Sequence, residues 1–186
     1  MAQLGFYFDQ TKCTGCKCCY IACKDCNDLP VEVEFRHVTH YEGGLHPEVW
    51  TASLSLACNH CANPACVANC PSGAMAKDEE TGLVAPDPEV CIGCGTCVSS
   101  CPYGAPVLRE GETKVSAKCD GCQSGYLPMK GKPACVLACS TRALQFGDLE
   151  ELKSQFGEGA VSDLSVLPGS SQTSPSLFIR PKEQMI

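Results

Sequence analysis

A chain of 186 residues with 18 cysteines and a formal charge of −7 is one compact domain or two small ones built on metal or disulfide chemistry, because cysteine at about one residue in ten is a scaffold composition. Its 14 Lys and Arg are scattered, so no basic stripe exists to meet phosphates, which excludes nucleic acid as a partner. No apolar run approaches ~18 residues, which excludes a direct membrane span.

The start, Met1-Ala-Gln-Leu-Gly-Phe-Tyr-Phe-Asp9, has no basic region followed by a long apolar one, and neither end carries a twin-arginine or lipidation motif. No signal peptide of its own is therefore expected, which speaks against a secreted disulfide framework. Cysteines two residues apart in tight runs also crowd too many thiols together for well-formed bridges. Aromatic content is only 6%. The apolar core is thin for the length, so metal sites are expected to supply much of the folding energy.

In chain order, an apolar segment over residues 5–8 predicts a strand. The first cysteine group follows as Cys13-x2-Cys16-x2-Cys19-x3-Cys23. Cys18 stands beside Cys19, but the two-residue spacing selects Cys19 and leaves Cys18 as a neighbouring free thiol. Cys26 lies one helical turn past Cys23 and is expected to be packed as a small apolar residue. Residues 27–50 form an insertion carrying His37, His40, His46 and Trp50. A strand is expected over 51–56.

The second group is Cys58-x2-Cys61-x4-Cys66-x3-Cys70-Pro71. His60 lies between its first two cysteines. It could donate a hydrogen bond to cluster sulfur, although the simpler expectation is a solvent-exposed ring. Met75 and Trp50 are expected in the core or at an interface. The acidic pair Glu79-Glu80 falls in a turn and should be solvated. A strand is expected over 82–85.

The third group, Cys91-x2-Cys94-x2-Cys97-x3-Cys101-Pro102, is the most informative. This is the bacterial ferredoxin run that holds a four-iron, four-sulfur cube. Three thiolates two residues apart on a winding loop reach three irons of one cube. The fourth stands on the following helical turn, points away, and ligates the other cluster of a pair. Gly93 and Gly95 suit backbone that passes close to a cluster, where a Cβ would clash. Successive N–H groups of such a loop form an anion nest.

Residues 102–118 connect to the fourth group, with a strand over 114–117. That group is Cys119-x2-Cys122-x12-Cys135-x3-Cys139, its long gap read as a surface loop. A strand over 143–146 and a helix over 148–156, stopped at Gly157, close the patterned region. The Ser-, Pro- and Gly-rich remainder reads as an extended tail, ordered only where it lies on the body or a partner. Within it Leu177-Phe178-Ile179 is apolar enough to dock.

The four groups are an internal repeat. Each opens with C-x2-C and closes with C-x3-C on a short helical turn, and only the middle gap varies. The pattern predicts small, loop-rich α+β units organised around iron–sulfur clusters. Zinc is the alternative for the second and fourth groups, whose paired knuckles could each close a four-thiolate site. Their membership in a four-fold set favours iron–sulfur. No nucleotide loop, Ser-His-Asp arrangement or paired carboxylate stands out, so catalysis by the chain alone is not expected.

With four groups in this order the chain resembles the four-cluster ferredoxin subunits of the molybdopterin oxidoreductase family, and is most similar to its dimethyl sulfoxide reductase branch. The similar stretches are Thr14-Gly-Cys-Lys and Ala22-Cys-Lys-Asp, Cys58-Asn-His-Cys with Pro64-Ala-Cys, and Cys70-Pro-Ser-Gly-Ala-Met75. They continue through Val90-Cys-Ile-Gly-Cys94, Cys101-Pro-Tyr-Gly-Ala-Pro106, Lys118-Cys-Asp-Gly-Cys122 and Arg142-Ala-Leu-Gln-Phe-Gly147. They span residues 4–156, and the tail is shorter than is usual in that family.

The resemblance implies an α+β fold of two interleaved bacterial-ferredoxin-like units around four 4Fe–4S clusters. One unit is residues 1–26 plus 119–156 and the other 51–118, with 27–50 an insertion and 157–186 the tail. It implies that Cys13, Cys16, Cys19 and Cys139 hold cluster 1, and Cys119, Cys122, Cys135 and Cys23 cluster 2. It implies Cys58, Cys61, Cys66 and Cys101 for cluster 3, and Cys91, Cys94, Cys97 and Cys70 for cluster 4. Some members lose a cysteine of the third group and hold a three-iron cluster; Cys97 is present here, so four cubes are expected.

It further implies an electron-transfer subunit, not catalytic on its own, between a quinol-linked or other redox donor and a molybdopterin (Mo or W) catalytic subunit. A membrane quinol-oxidising subunit is a possible further partner; a soluble two-subunit enzyme without anchor is the alternative. Association with the membrane would be through partners. The chain would then stand outside the cytoplasm by co-export with a signal-bearing partner, or inside it.

Overall fold

The computed structural model describes residues 2–109, 111 and 114–186. Residue 1, and residues 110, 112 and 113 of the expected connection, lie outside the described residues. In chain order the elements are β1 (Leu4–Asp9), α1 (Cys18–Cys26), β2 (His37–Leu45), β3 (Glu48–Leu56), α2 (Ala65–Ala68), β4 (Met75–Lys77) and β5 (Val84–Pro86). There follow α3 (Thr96–Ser100), β6 (Val107–Arg109), β7 (Val115–Ala117), α4 (Tyr126–Lys130), α5 (Ala134–Leu137), β8 (Leu144–Asp148), α6 (Leu149–Phe156) and β9 (Leu177–Arg180).

β1 is the middle of a three-stranded sheet, antiparallel to β8 and parallel to β9. Side chains alternate across a strand, and that period assigns the two faces. Phe6 and Phe8 of β1, Leu144 and Phe146 of β8, and Leu177 and Ile179 of β9 enter one buried cluster with Leu54, Leu83 and Cys135. Tyr7 and Phe178 turn to the opposite face, where Leu152 of α6 covers them. Tyr7 stacks on Phe156 with ring centroids 4.8 Å apart. α6 starts at Asp148, whose carboxylate accepts the N–H groups of Glu150 and Glu151, an N-cap that satisfies two otherwise orphan donors.

The tail therefore lies on the body, and its apolar triplet docks as a strand. Ile179 is fully buried. Upstream of it the tail laces over the second cysteine group. Ala62 N–H donates to Ser174 O at 2.7 Å, Asn63 N–H to Thr173 O at 3.0 Å, and Ser176 N–H to Asn59 O at 2.9 Å.

Several elements differ from expectation. The strand expected over 51–56 starts at Glu48 and forms a hairpin with β2 out of the insertion, His37 pairing Leu56 and Gly43 pairing Trp50. The strand expected over 82–85 is displaced to β5 and pairs with β4. β7 likewise has a partner in β6. The gap of the fourth group is not all loop, because Tyr126–Lys130 closes one helical turn. α1 runs three residues past Cys23, and Lys24 Nζ donates to the carbonyls of Pro30, Val31 and Val33 at 2.6–3.0 Å. A basic side chain near a helix C-terminus often meets carbonyls in this way.

Candidate metal centres

The repeat survives in three dimensions as one recurring loop. The residue two after the first cysteine has positive φ in all four groups: Gly15 (69°), His60 (43°), Gly93 (67°) and Gly121 (73°). In three of them its N–H points back at that cysteine's sulfur, Gly15 to Cys13 at 3.4 Å, His60 to Cys58 at 3.5 Å and Gly121 to Cys119 at 3.5 Å. These are the inward N–H groups of an anion nest. In the third group Ser116 N–H takes that role, donating to Cys91 Sγ at 3.3 Å. The glycine requirement comes from this left-handed turn. A Cβ on Gly93 would strike the Lys114 carbonyl, so backbone, not a cluster, is the nearest obstacle.

Cys13, Cys16, Cys19 and Cys139 line one cavity. Cys58, Cys61, Cys66 and Cys101 line a second. Cys70, Cys91, Cys94 and Cys97 line a third. In each, three thiols come from one group and the fourth from the helical turn of another. Cys23, Cys119, Cys122 and Cys135 are buried and are close electrostatic neighbours of one another. Cys23 on α1 and Cys135 on α5 come together where those two helices meet.

Three similar voids, each ringed by four thiols and approached by N–H or O–H donors, fit 4Fe–4S clusters. Ser55 and Thr96 hydroxyls lie 3.3 Å from Cys19 and Cys94 sulfurs, and Ser116 Oγ lies 3.2 Å from Cys97 Sγ. Among the described residues no group of three or more His, Cys, Asp or Glu is placed to hold a single metal ion.

The cysteines differ sharply in exposure. Cys16 and Cys94 are exposed, and hydrogen bonds hold their thiols below the ordinary range, as they do for Cys70. Burial pushes Cys23 and Cys66 up to about 12 and Cys122 to about 11. At neutral pH these interior thiols hold their protons, which a metal must displace. Cys18 is exposed beside Cys16 and lines none of the three cavities. Cys26 is half-buried, accepts from Asn27 Nδ2 at 3.0 Å, and lies beside Cys122.

His60 is the clearest correction. Its expected exposure is wrong, because the ring is fully buried. Nδ1 accepts from Val84 N–H at 3.0 Å and Nε2 lies 3.9 Å from Cys119 Sγ. A comparison of the four loops would have signalled this, since His60 fills the place held elsewhere by glycine. Met75 is core as expected, while His37, His40 and His46 are half-buried or exposed. Sequence reasoning missed Thr173 of the tail, which lines the cavity of Cys58. It also missed Arg36 and Lys118, both buried.

The 4Fe–4S dicluster domain family matches residues 49–149. The B subunit of anaerobic dimethyl sulfoxide reductase from Escherichia coli K12 is 45% identical, covering 96% of this chain and 89% of its own length. The B subunit of the Haemophilus influenzae anaerobic dimethyl sulfoxide reductase is 42% identical over 98% of this chain and 91% of its own. Protein NrfC of Escherichia coli K12 is 36% identical over 84% and 70%.

Cysteine cages strung through a small loop-rich body define an iron–sulfur electron-transfer protein. No helix among the described residues is long and apolar enough to cross a membrane. The chain belongs to the family of 4Fe–4S dicluster iron–sulfur subunits that includes the B subunits of dimethyl sulfoxide reductase.

Proposed function

We propose that the chain is the electron wire of a molybdopterin reductase of the dimethyl sulfoxide reductase type. It would relay electrons through four 4Fe–4S clusters from a quinol-linked or other donor to a Mo- or W-bearing catalytic subunit, and would not be catalytic by itself. Cys13, Cys16, Cys19 and Cys139 would hold cluster 1, and Cys119, Cys122, Cys135 and Cys23 cluster 2. Cys58, Cys61, Cys66 and Cys101 would hold cluster 3, and Cys91, Cys94, Cys97 and Cys70 cluster 4. The clusters pair within two interleaved ferredoxin-like units, and membrane association is through partners. The relatives named as the B component of a reductase support a partnered role.

The observation that carries this is the crossed lining of the cavities, three thiols from one group and one from another. A bound cluster supplies reversible one-electron transfer at a potential set by its surroundings. The chain's own residues do the rest. Four thiolates fix each position, N–H groups two residues on stabilise negative charge on sulfur, and apolar neighbours exclude water. Neighbour contacts favour the order 1–2–3–4. Cys119 of cluster 2 is an electrostatic neighbour of Cys58 of cluster 3, and Cys66 of cluster 3 packs with Cys97 and Cys70 of cluster 4. Exposed Cys16 and Cys94 then mark the two ends.

The test is metal analysis of the natively tagged complex purified without oxygen. Molybdenum or tungsten near one per chain, together with iron, is expected. Full iron with neither metal would overturn the partnership while leaving the wire.

A further inference from the structure

Two cationic side chains lie buried inside this acidic protein with no carboxylate partner among the described residues. Arg36 is 2% exposed. Its Nη1 donates to Ser55 Oγ at 3.2 Å and more weakly to Ser55 O at 3.4 Å, and its guanidinium sits 4.8 Å over the Phe6 ring. Nε and Nη2 have no hydrogen-bond partner among the described residues. The Ser55 hydroxyl that it holds lies 3.3 Å from Cys19 Sγ; burial works against its charge, and the neighbouring sulfurs of Cys135, Cys119, Cys19 and Cys23 favour it. Three of those belong to the cage of Cys119 and one to the cage of Cys13.

Lys118 is 3% exposed. Its Nζ donates to Cys58 Sγ at 3.2 Å, to Cys119 O at 2.9 Å and to Val84 O. It therefore stands between the cage of Cys58 and the cage of Cys119. A buried cation with no counter-charge is costly, and two unpaired buried N–H groups add to the cost. Loaded cages, each with four thiolates, are anions and remove that cost.

We infer that Arg36 and Lys118 are fixed counter-charges that raise the reduction potentials of the cages they touch, Arg36 those of Cys13 and Cys119, Lys118 those of Cys119 and Cys58. This rests on the four-cluster reading proposed above. Adding an electron makes a cage more negative, so a buried cation within a few ångströms favours the reduced state. Both are positioning residues: Lys118 donates to the Cys58 sulfur, Arg36 holds the Ser55 hydroxyl beside the Cys19 sulfur, and together they set the energy of the path.

The experiment is an EPR-monitored potentiometric titration of the full chain in its native complex, with iron counted in each variant. Wild type first tests the underlying reading, since fewer than four midpoints would overturn that assignment independently of the variants. Given four, Arg36→Met is expected to lower two midpoints and Lys118→Met two. The double variant should lower three, one of them by both amounts, and leave one unmoved. Each single shift should change the reduced-to-oxidised ratio about tenfold at fixed potential, which is about 59 mV for one electron. Arg36→Lys and Lys118→Arg, which keep the charge, should leave the midpoints in place.

Should the methionine variants not hold iron, Arg36→Gln and Lys118→Gln keep N–H donors without the charge and should shift the same pairs. If every neutral variant loses iron while the charge-keeping exchanges retain it with unmoved midpoints, the counter-charge role is upheld. No shift in an iron-replete neutral variant, an equal shift of all four midpoints, or charge-keeping exchanges as damaging as neutral ones would each overturn the inference.

Discussion

The backbone N–H of Val84 donates to Nδ1 of His60 at 3.0 Å. With Nδ1 accepting, the ring hydrogen is on Nε2, 3.9 Å from Cys119 Sγ. Burial pushes the imidazole well below its ordinary pKa, and the cations Lys118, Lys77 and Arg36 push the same way. His60 is therefore a neutral ring that joins the loop of Cys58 to β5 and faces the neighbouring cage.

A pH dependence follows. The folded pKa lies below the unfolded value of about 6.5. The contribution to stability is thus present above that pH and lost as pH falls below it, where the unfolded chain binds the proton and the folded one does not. The thermal midpoint of the loaded chain should drop from about pH 7 to about pH 5, and His60→Asn should flatten that drop. Asparagine offers Val84 an acceptor and tolerates positive φ. His60→Ala leaves the Val84 N–H unpaired and should cost about 1–3 kcal/mol. An unchanged pH slope in His60→Asn would contradict this.

The tail is structural. Ile179 is fully buried, pairs with Phe8 in the sheet and bridges to Val161, so Ile179→Ala should cost about 2–5 kcal/mol. Thr173 lines the cavity of Cys58, and its backbone carbonyl accepts from Asn63. Ending the chain before Ser170 should therefore expose that cage and speed oxidative loss of its iron. Iron counted during timed exposure to air reads the effect; a truncated chain that keeps its iron as long as the full one would refute it.

Cysteine exchange tests the crossed ligands. Cys70 closes the second group in sequence but lines the cavity of Cys91, and Cys101 closes the third group but lines the cavity of Cys58. Cys70→Ser should perturb the same EPR signal as Cys94→Ser, and Cys101→Ser the same signal as Cys61→Ser. Perturbations that follow sequence grouping instead would refute the crossing.

Loading should depend on pH unevenly. Metal competes with protons for thiolate, and the competition is hardest where burial has raised the thiol. Cys66 and Cys23 stand at about 12 and Cys122 at about 11, whereas Cys16, Cys70 and Cys94 lie below the ordinary range. As pH falls from about 9 to about 6, the cages of Cys23 and Cys66 should lose iron before those of Cys16 and Cys94. Iron per chain with EPR at each pH measures this; uniform loss would contradict it.

The four cysteine loops were legible in the sequence because their spacing is a local property. C-x2-C loops and C-x3-C turns depend on a handful of neighbouring residues, and all four groups keep them. The missed elements depend on distant partners. β4 and β6 are three residues long, too short for any period to register. β9 pairs with β1 across most of the chain, and its apolar triplet said only that it would dock. Arg36 lies in an insertion where an arginine ordinarily implies solvent. Its burial makes sense only once sulfurs from two cysteine groups converge on it. His60 was misjudged because an isolated histidine in a loop is usually exposed, and only the left-handed turn shared with Gly15, Gly93 and Gly121 marks its place as internal.

Iron and acid-labile sulfide per chain, counted on the anaerobically purified complex, report how many 4Fe–4S clusters the chain holds. About 16 of each is the result predicted for four cubes. About eight of each, the content of two clusters alone, or zinc in place of iron, would contradict it.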